Sequence, residues 1–175
     1  MVLIISQIIG LAAVALYLLS YQLKKRRQIV WATCISNALY VTQYLLLGAF
    51  SGALMDFLST VSSFFAAEKS SPRFIRFSRW IAASNLIIIT VAGLTVTILR
   101  QDPIELLPLA GALFQTGGLW CNDEQTIRKF GLCSAPFWLC YNFISQAYGA
   151  SIGSLLAIIS IVTAMIRYRK KPQIK

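Results

Sequence analysis

The first twenty-three residues, Met1 to Leu23, contain no charged side chain, and apolar runs of this kind recur along the chain. Backbone in hydrocarbon must satisfy its own hydrogen bonds. An uncharged run of about 20 residues therefore has one stable form, a helix rising ~1.5 Å per residue through a layer ~30 Å thick. Between Gln28 and Ala67 the only charge is Asp56, and the run is twice the length of one crossing. Gly48-Ala49-Phe50-Ser51-Gly52 supplies a turn in its middle, which predicts two helices. Trp80 to Leu99 predicts a fourth helix. Leu106 to Asn122 predicts a fifth that starts near Pro103, since the first turn tolerates proline. Phe130 to Ile166 is again double length and breaks near Gln146-Ala147-Tyr148-Gly149, giving the sixth and seventh. With 57% of the 175 residues hydrophobic and 13% charged, the expected solvent is lipid.

The basic residues orient these spans, because cytoplasmic loops collect Lys and Arg. Seven crossings bring Lys24 to Arg27, then Lys69, Arg73, Arg76 and Arg79, then Arg128 and Lys129, and finally Arg167, Arg169, Lys170, Lys171 and Lys175 to one side. Of the 16 basic residues only Arg100 falls on the other side, beside Asp102 and Glu105. The N-terminus is thus expected outside and the C-terminus in the cytoplasm. The net charge of +10 does not imply nucleic acid, since the basic residues sit only between apolar stretches. Met1 to Leu23 has its basic cluster behind it, so it is expected to remain as a membrane helix and not to serve as a cleaved signal. Arg73, Arg76 and Arg79 interleave with Phe74, Phe77 and Trp80, the composition of an anchor in an anionic leaflet.

Four cysteines without a CxxC pair and no histidine leave no zinc pattern. No nucleophile and base pair, metal cluster or phosphate loop is visible, so the chain is expected not to be an enzyme and to use no cofactor or metal.

Asp56 is the only acidic residue inside a span, and an ionisable group there is costly enough to point to function. It also lies about 7 Å below the external turn at ~1.5 Å per residue, where water or the helix dipole could hold a purely structural carboxylate. Gly52, Asp56, Ser59 and Ser63 share one face of the third helix. Gly149 and Gly153 give the seventh a small face suited to close packing. Asn37, Tyr40 and Tyr44 share a face of the second helix, as Trp138 and Asn142 do on the sixth. Amides beside aromatic rings suit a small polar molecule, although both also serve as interhelical packing. The candidate substrate-binding residues are therefore Asn37, Tyr40, Tyr44, Asp56, Trp138 and Asn142. Gln43, Asn85, Gln115 and Gln146 are further polar residues without a supporting pattern, and Pro108 and Pro136 are either hinges or tolerated early prolines.

Sliding the chain on itself by 97 positions aligns Tyr44 with Tyr141, Gly52 with Gly149, Ala53 with Ala150 and Ser63 with Ser160. Three crossings plus one linker is an even number, so the two copies run parallel. The expected fold is an all-α membrane protein with two three-helix repeats, about 1–69 and 103–169, joined by a linker helix at about 75–100.

That plan resembles the SWEET and PQ-loop superfamily, whose carriers are parallel repeats. Ser20-Tyr21-Gln22, Ser36-Asn37, Gln43 to Ala49, Ser51-Gly52-Ala53, Phe64-Phe65-Ala66, Leu107-Pro108 and Trp138 to Asn142 are similar to the YgjV branch of bacterial inner-membrane proteins. The resemblance implies a multi-pass inner-membrane location and a carrier of a small polar solute that alternates access between its bundles. A membrane sensor, receptor or assembly factor that binds without translocating is the alternative. The expected partners are a small-molecule solute and membrane lipids, not nucleic acid, with a homo-oligomer left open.

Overall fold

Two turns built alike divide the long apolar runs. In the first, Gly48 takes a left-handed conformation (φ 71°) and the Ala49 N–H reaches back to Tyr44 O at 2.9 Å. In the second, Gln146 takes the same conformation (φ 59°) and the Ala147 N–H reaches Asn142 O at 2.9 Å. A left-handed residue exposes the preceding carbonyls to backward donors and so ends a helix. Glycine adopts it freely, whereas Gln146 carries a modest strain.

The computed structural model describes residues 2–168; the basic tail residues Arg169, Lys170, Lys171 and Lys175 lie outside them. Among the described residues the chain forms seven helices: α1 (Val2–Gln22), α2 (Arg26–Leu47), α3 (Phe50–Glu68), α4 (Ser78–Arg100), α5 (Leu106–Trp120), α6 (Glu124–Ile144) and α7 (Tyr148–Arg167). A 3₁₀ turn, Pro103–Glu105, leads into α5. Five of the seven, α1 to α4 and α7, are long and apolar enough to cross a membrane. α5 has 15 residues, about 22 Å of rise, and needs the turn before it to approach a full crossing. α6 has the length but begins with polar turns. It starts at Glu124, well before the expected Phe130, because the Asp123 carboxylate accepts the Thr126 N–H at 2.9 Å and caps it there.

Consecutive helices pack side by side, α1 on α2 on α3 and α5 on α6 on α7; α1 against α7 and α3 against α5 complete a ring. α4 lies outside against α3 and α5, burying only Ile89 and Gly93. The polarity is inverted relative to a water-soluble bundle. Large apolar side chains such as Ile8, Ile87, Val91, Ile98, Ile152 and Ile159 are exposed, while Ser36, Asn37, Gln43, Ser59, Ser63, Gln115, Thr116 and Asn142 are buried. Such interiors are held by short polar links and close backbone approach, since lipid offers no hydrophobic drive between helices. Ser36 donates to Ala13 O and Ser134 to Gly111 O, both at 2.8 Å, the two bonds standing 98 positions apart in the chain. Gly153 lets α7 approach α1 so closely that an added Cβ would lie 2.2 Å from a Val14 methyl. Pro136 sits inside α6, whereas Pro108 lies in the first turn of α5.

The connections α1–α2 and α5–α6 and the last turns of α3 and α7 meet at one end. There Arg27 pairs with Glu68 at 2.5 Å and Arg167 reaches Gln22 Oε1 at 3.2 Å. Gly48, Ser51, Arg100, Glu105 and Ser145 gather at the opposite end.

Candidate functional site

Ten residues close around one cavity at the centre of the ring: Tyr17 from α1; Asn37, Tyr40 and Tyr44 from α2; Asp56 from α3; Gln115 from α5; Ala135, Trp138 and Asn142 from α6; and Ser154 from α7. All six residues singled out in the sequence are among them. The enclosed free space is about 20 Å³, room for one water-sized group.

The amides are held by the protein. Gln115 Nε2 donates to Asn37 Oδ1 at 2.9 Å, leaving Asn37 Nδ2 buried without a partner. The Tyr44 hydroxyl donates to Asn142 Oδ1, and Asn142 Nδ2 donates to Ser154 Oγ at 3.1 Å. These bonds tie α2 to α5, α2 to α6 and α6 to α7, so the polar lining also holds the helices together. Tyr40, Tyr44 and Trp138 stack in sequence, with centroids 6.1 and 6.2 Å apart and ring planes within 21° and 14°. Tyr141 meets Tyr44 edge-on, and its hydroxyl accepts the Gly52 N–H at 2.9 Å and lies 2.9 Å from Ser51 Oγ. That contact needs glycine at position 52, since an added Cβ would stand 2.6 Å from the Tyr141 ring.

Asp56 is 3% exposed, and among the described residues its carboxylate receives no hydrogen bond or ion pair. Its helix neighbours Ser59 and Ser63 are occupied elsewhere: Thr116 donates to Ser59 Oγ at 3.2 Å, and Ser63 donates to Ser59 O. Gln43 packs on Gly10 of α1, away from the cavity wall, and Asn85 bonds back to Ile81 O on α4. Among the described residues no three His, Cys, Asp or Glu side chains come together, and the polar groups lining the cavity are one carboxyl, amides, hydroxyls and the unpaired Trp138 Nε1–H.

Sequence reasoning passed over Tyr17 and Ser154 and left Gln115 unsupported. A signal for them exists. The ten lining residues form five pairs, each 98 positions apart: Tyr17 with Gln115, Asn37 with Ala135, Tyr40 with Trp138, Tyr44 with Asn142, and Asp56 with Ser154. The two turns and the Ser36 and Ser134 bonds keep the same spacing. This spacing of 98 is one residue from the 97 suggested by residue identity. A one-residue slip turns a helix by about 100°, so identity matching paired side chains on different faces.

At the basic end two arginines reach helix ends across the bundle. Arg26, at the start of α2, donates to Leu119 O (2.7 Å) and Cys121 O (2.8 Å) at the end of α5, and to Ala66 O (2.9 Å) on α3. Arg128, in the second turn of α6, donates to Tyr21 O (3.2 Å) and Leu23 O (3.0 Å) at the end of α1. Helix C-termini leave carbonyls unpaired and carry partial negative charge, which suits a guanidinium. Lys69 joins the first cluster, its Nζ at 2.6 Å from both Trp120 O and Asn122 Oδ1. Burial, and then the neighbouring Arg26, push its amine down to about 8. Arg73, Arg76, Arg79 and Trp80 stay exposed between α3 and the start of α4.

No curated protein and no solved structure matches this chain. The model of the family Imp-YgjV, described as a bacterial inner membrane protein, matches residues 4–172, nearly the whole chain. With helices apolar enough to span a bilayer and a polar interior, this chain is a multi-pass member of the Imp-YgjV family and resides in the bacterial inner membrane.

Proposed function

We propose that the protein is a carrier of a small polar solute that alternates access between two parallel three-helix halves, α1–α3 and α5–α7, joined by α4 as linker. All seven helices cross the bilayer, with the N-terminus outside and the C-terminus cytoplasmic, the plan of SWEET and PQ-loop carriers. The observation that carries this reading is the pairing of all ten cavity-lining residues at one spacing. It supports a site built where two copies of one unit meet, as in repeat carriers. The ring contacts support the same symmetry, since exchanging the halves turns the α1–α7 seam into the α3–α5 seam. Arg26 and Arg128 also exchange roles, each closing the first helix of the opposite half. In this reading the conformation is occluded, and the arginines are the cytoplasmic closure. Binding rests on Asn37, Tyr40, Tyr44, Asp56, Trp138 and Asn142, with no catalytic chemistry and no cofactor.

A second reading is favoured by the small cavity and by amides already bonded within the protein: a sensor or assembly factor that binds without translocation. Proteoliposomes loaded against labelled sugars, polyols, amino acids and amines separate the two. Saturable uptake that is lost in Asn142→Leu is expected; binding without uptake of any solute would instead identify the sensor.

A further inference from the structure

Among the described residues the only ionisable carboxyl on the cavity wall is that of Asp56. Asp56 is buried there without a protein partner, and the other titratable groups facing it, Tyr17 from α1 and Tyr40 and Tyr44 from α2, are phenols. Neither α5, α6 nor α7 adds a charged side chain to the wall; their contributions are Gln115, Ala135, Trp138, Asn142 and Ser154. Arg26, Lys69 and Arg128 are bound to carbonyls at the basic end, and Arg100 pairs with Glu105 at the other. An ionised carboxylate buried without a cation is costly, and a positively charged guest would offset that cost.

The rest of the lining says which kind. The parallel stack of Tyr40, Tyr44 and Trp138 lines the same cavity as Asp56, and ring faces attract weakly hydrated organic cations. A metal ion of the alkali or alkaline-earth type wants a shell of oxygens, and here Asn37 Oδ1 and Asn142 Oδ1 already accept bonds from Gln115 and Tyr44. The free space of about 20 Å³ has room for about one small polar group, so in this conformation the cavity meets the head of a guest and not its whole body. Asn37 Nδ2 remains as a spare donor for a hydroxyl or carbonyl of the same guest.

We propose that the central cavity recognises the ammonium group of a small organic amine, with Asp56 as counter-charge and Tyr40, Tyr44 and Trp138 as its aromatic wall. The assignment rests on reading this cavity as the solute site. Calorimetric titration of the purified full chain with methylammonium, ethanolamine, sodium and erythritol, at fixed pH and ionic strength, tests it. The two amines are expected to bind and sodium and erythritol not to. Asp56→Asn should weaken methylammonium by at least about 30-fold, since removing one partner of a buried charge pair has effects of that order. Trp138→Leu should weaken it by about 2- to 30-fold, the range of a ring face. Should Asp56→Asn not fold, the selectivity of the unsubstituted chain decides alone. Erythritol binding without amine binding, or a folded Asp56→Asn that binds methylammonium normally, overturns the proposal. Erythritol uptake with no amine binding would sink it and leave the carrier standing; amine binding with no uptake of any solute would sustain it and sink the carrier.

Discussion

Replacing Arg26 with glutamine should open the basic end without unfolding the bundle. The guanidinium makes three bonds, to Leu119 O, Cys121 O and Ala66 O at 2.7 to 2.9 Å. A hydrogen bond from a charged donor contributes about 1.5 to 3 kcal/mol net. Arg26 is only half-buried, so the lower figure applies. The glutamine amide can still reach one carbonyl, leaving two bonds lost, about 3 kcal/mol. At about 1.4 kcal/mol per tenfold, the closed form should lose roughly 100-fold against an open one. Thr116, buried on α5 one turn deeper than Leu119, gives a reporter as Thr116→Cys, after the native Cys34, Cys121, Cys133 and Cys140 are replaced by serine. A membrane-impermeant maleimide added to inverted vesicles should label it roughly 100-fold faster in Arg26→Gln, and Arg128→Gln should act in the same direction. If a folded Arg26→Gln labels at the unsubstituted rate, the arginines are fasteners of a static end and not a closure.

Gly153→Ala forces a Cβ to within 2.2 Å of Val14 on the α1–α7 seam; overpacking of this kind costs about 1 to 3 kcal/mol, to be read as a lower thermal midpoint in detergent, and an unchanged midpoint would refute the close-packing argument. Lys69, lowered to about 8, should show acylation rising through about pH 8, followed by peptide mass spectrometry, where an ordinary lysine is well under 1% free amine. The sign for stability follows: between about 8 and the usual 10.5 the unfolded chain holds more protons at this site, so its contribution to folding rises with pH.

Helix number and the gathering of the basic loops at one end were legible in the sequence because they depend on run length and charge, both local quantities. The face shared by Asn37, Tyr40 and Tyr44 was legible for the same reason, since three- and four-residue spacing alone sets it. α6 was placed late because Arg128 and Lys129 read as loop residues, whereas Arg128 is 1% exposed and turned onto the end of α1. Tyr17 and Ser154 were missed because apolar neighbours give a lone tyrosine or serine no contrast until the opposite half supplies its pair.

The sequence by itself determined that the chain lives in lipid, how many helices it makes, and which side chains lie on each helix face, since hydrophobic length and helical period act along the chain. Only the tertiary structure decided that six chosen residues meet in one cavity, that no described cation stands on its wall beside Asp56, and that the lining residues pair at 98 positions and not 97. Those depend on helix rotation and on which seams close, and rotation is set by contacts between residues far apart in the chain, such as Tyr44 with Asn142 and Gly153 with Val14.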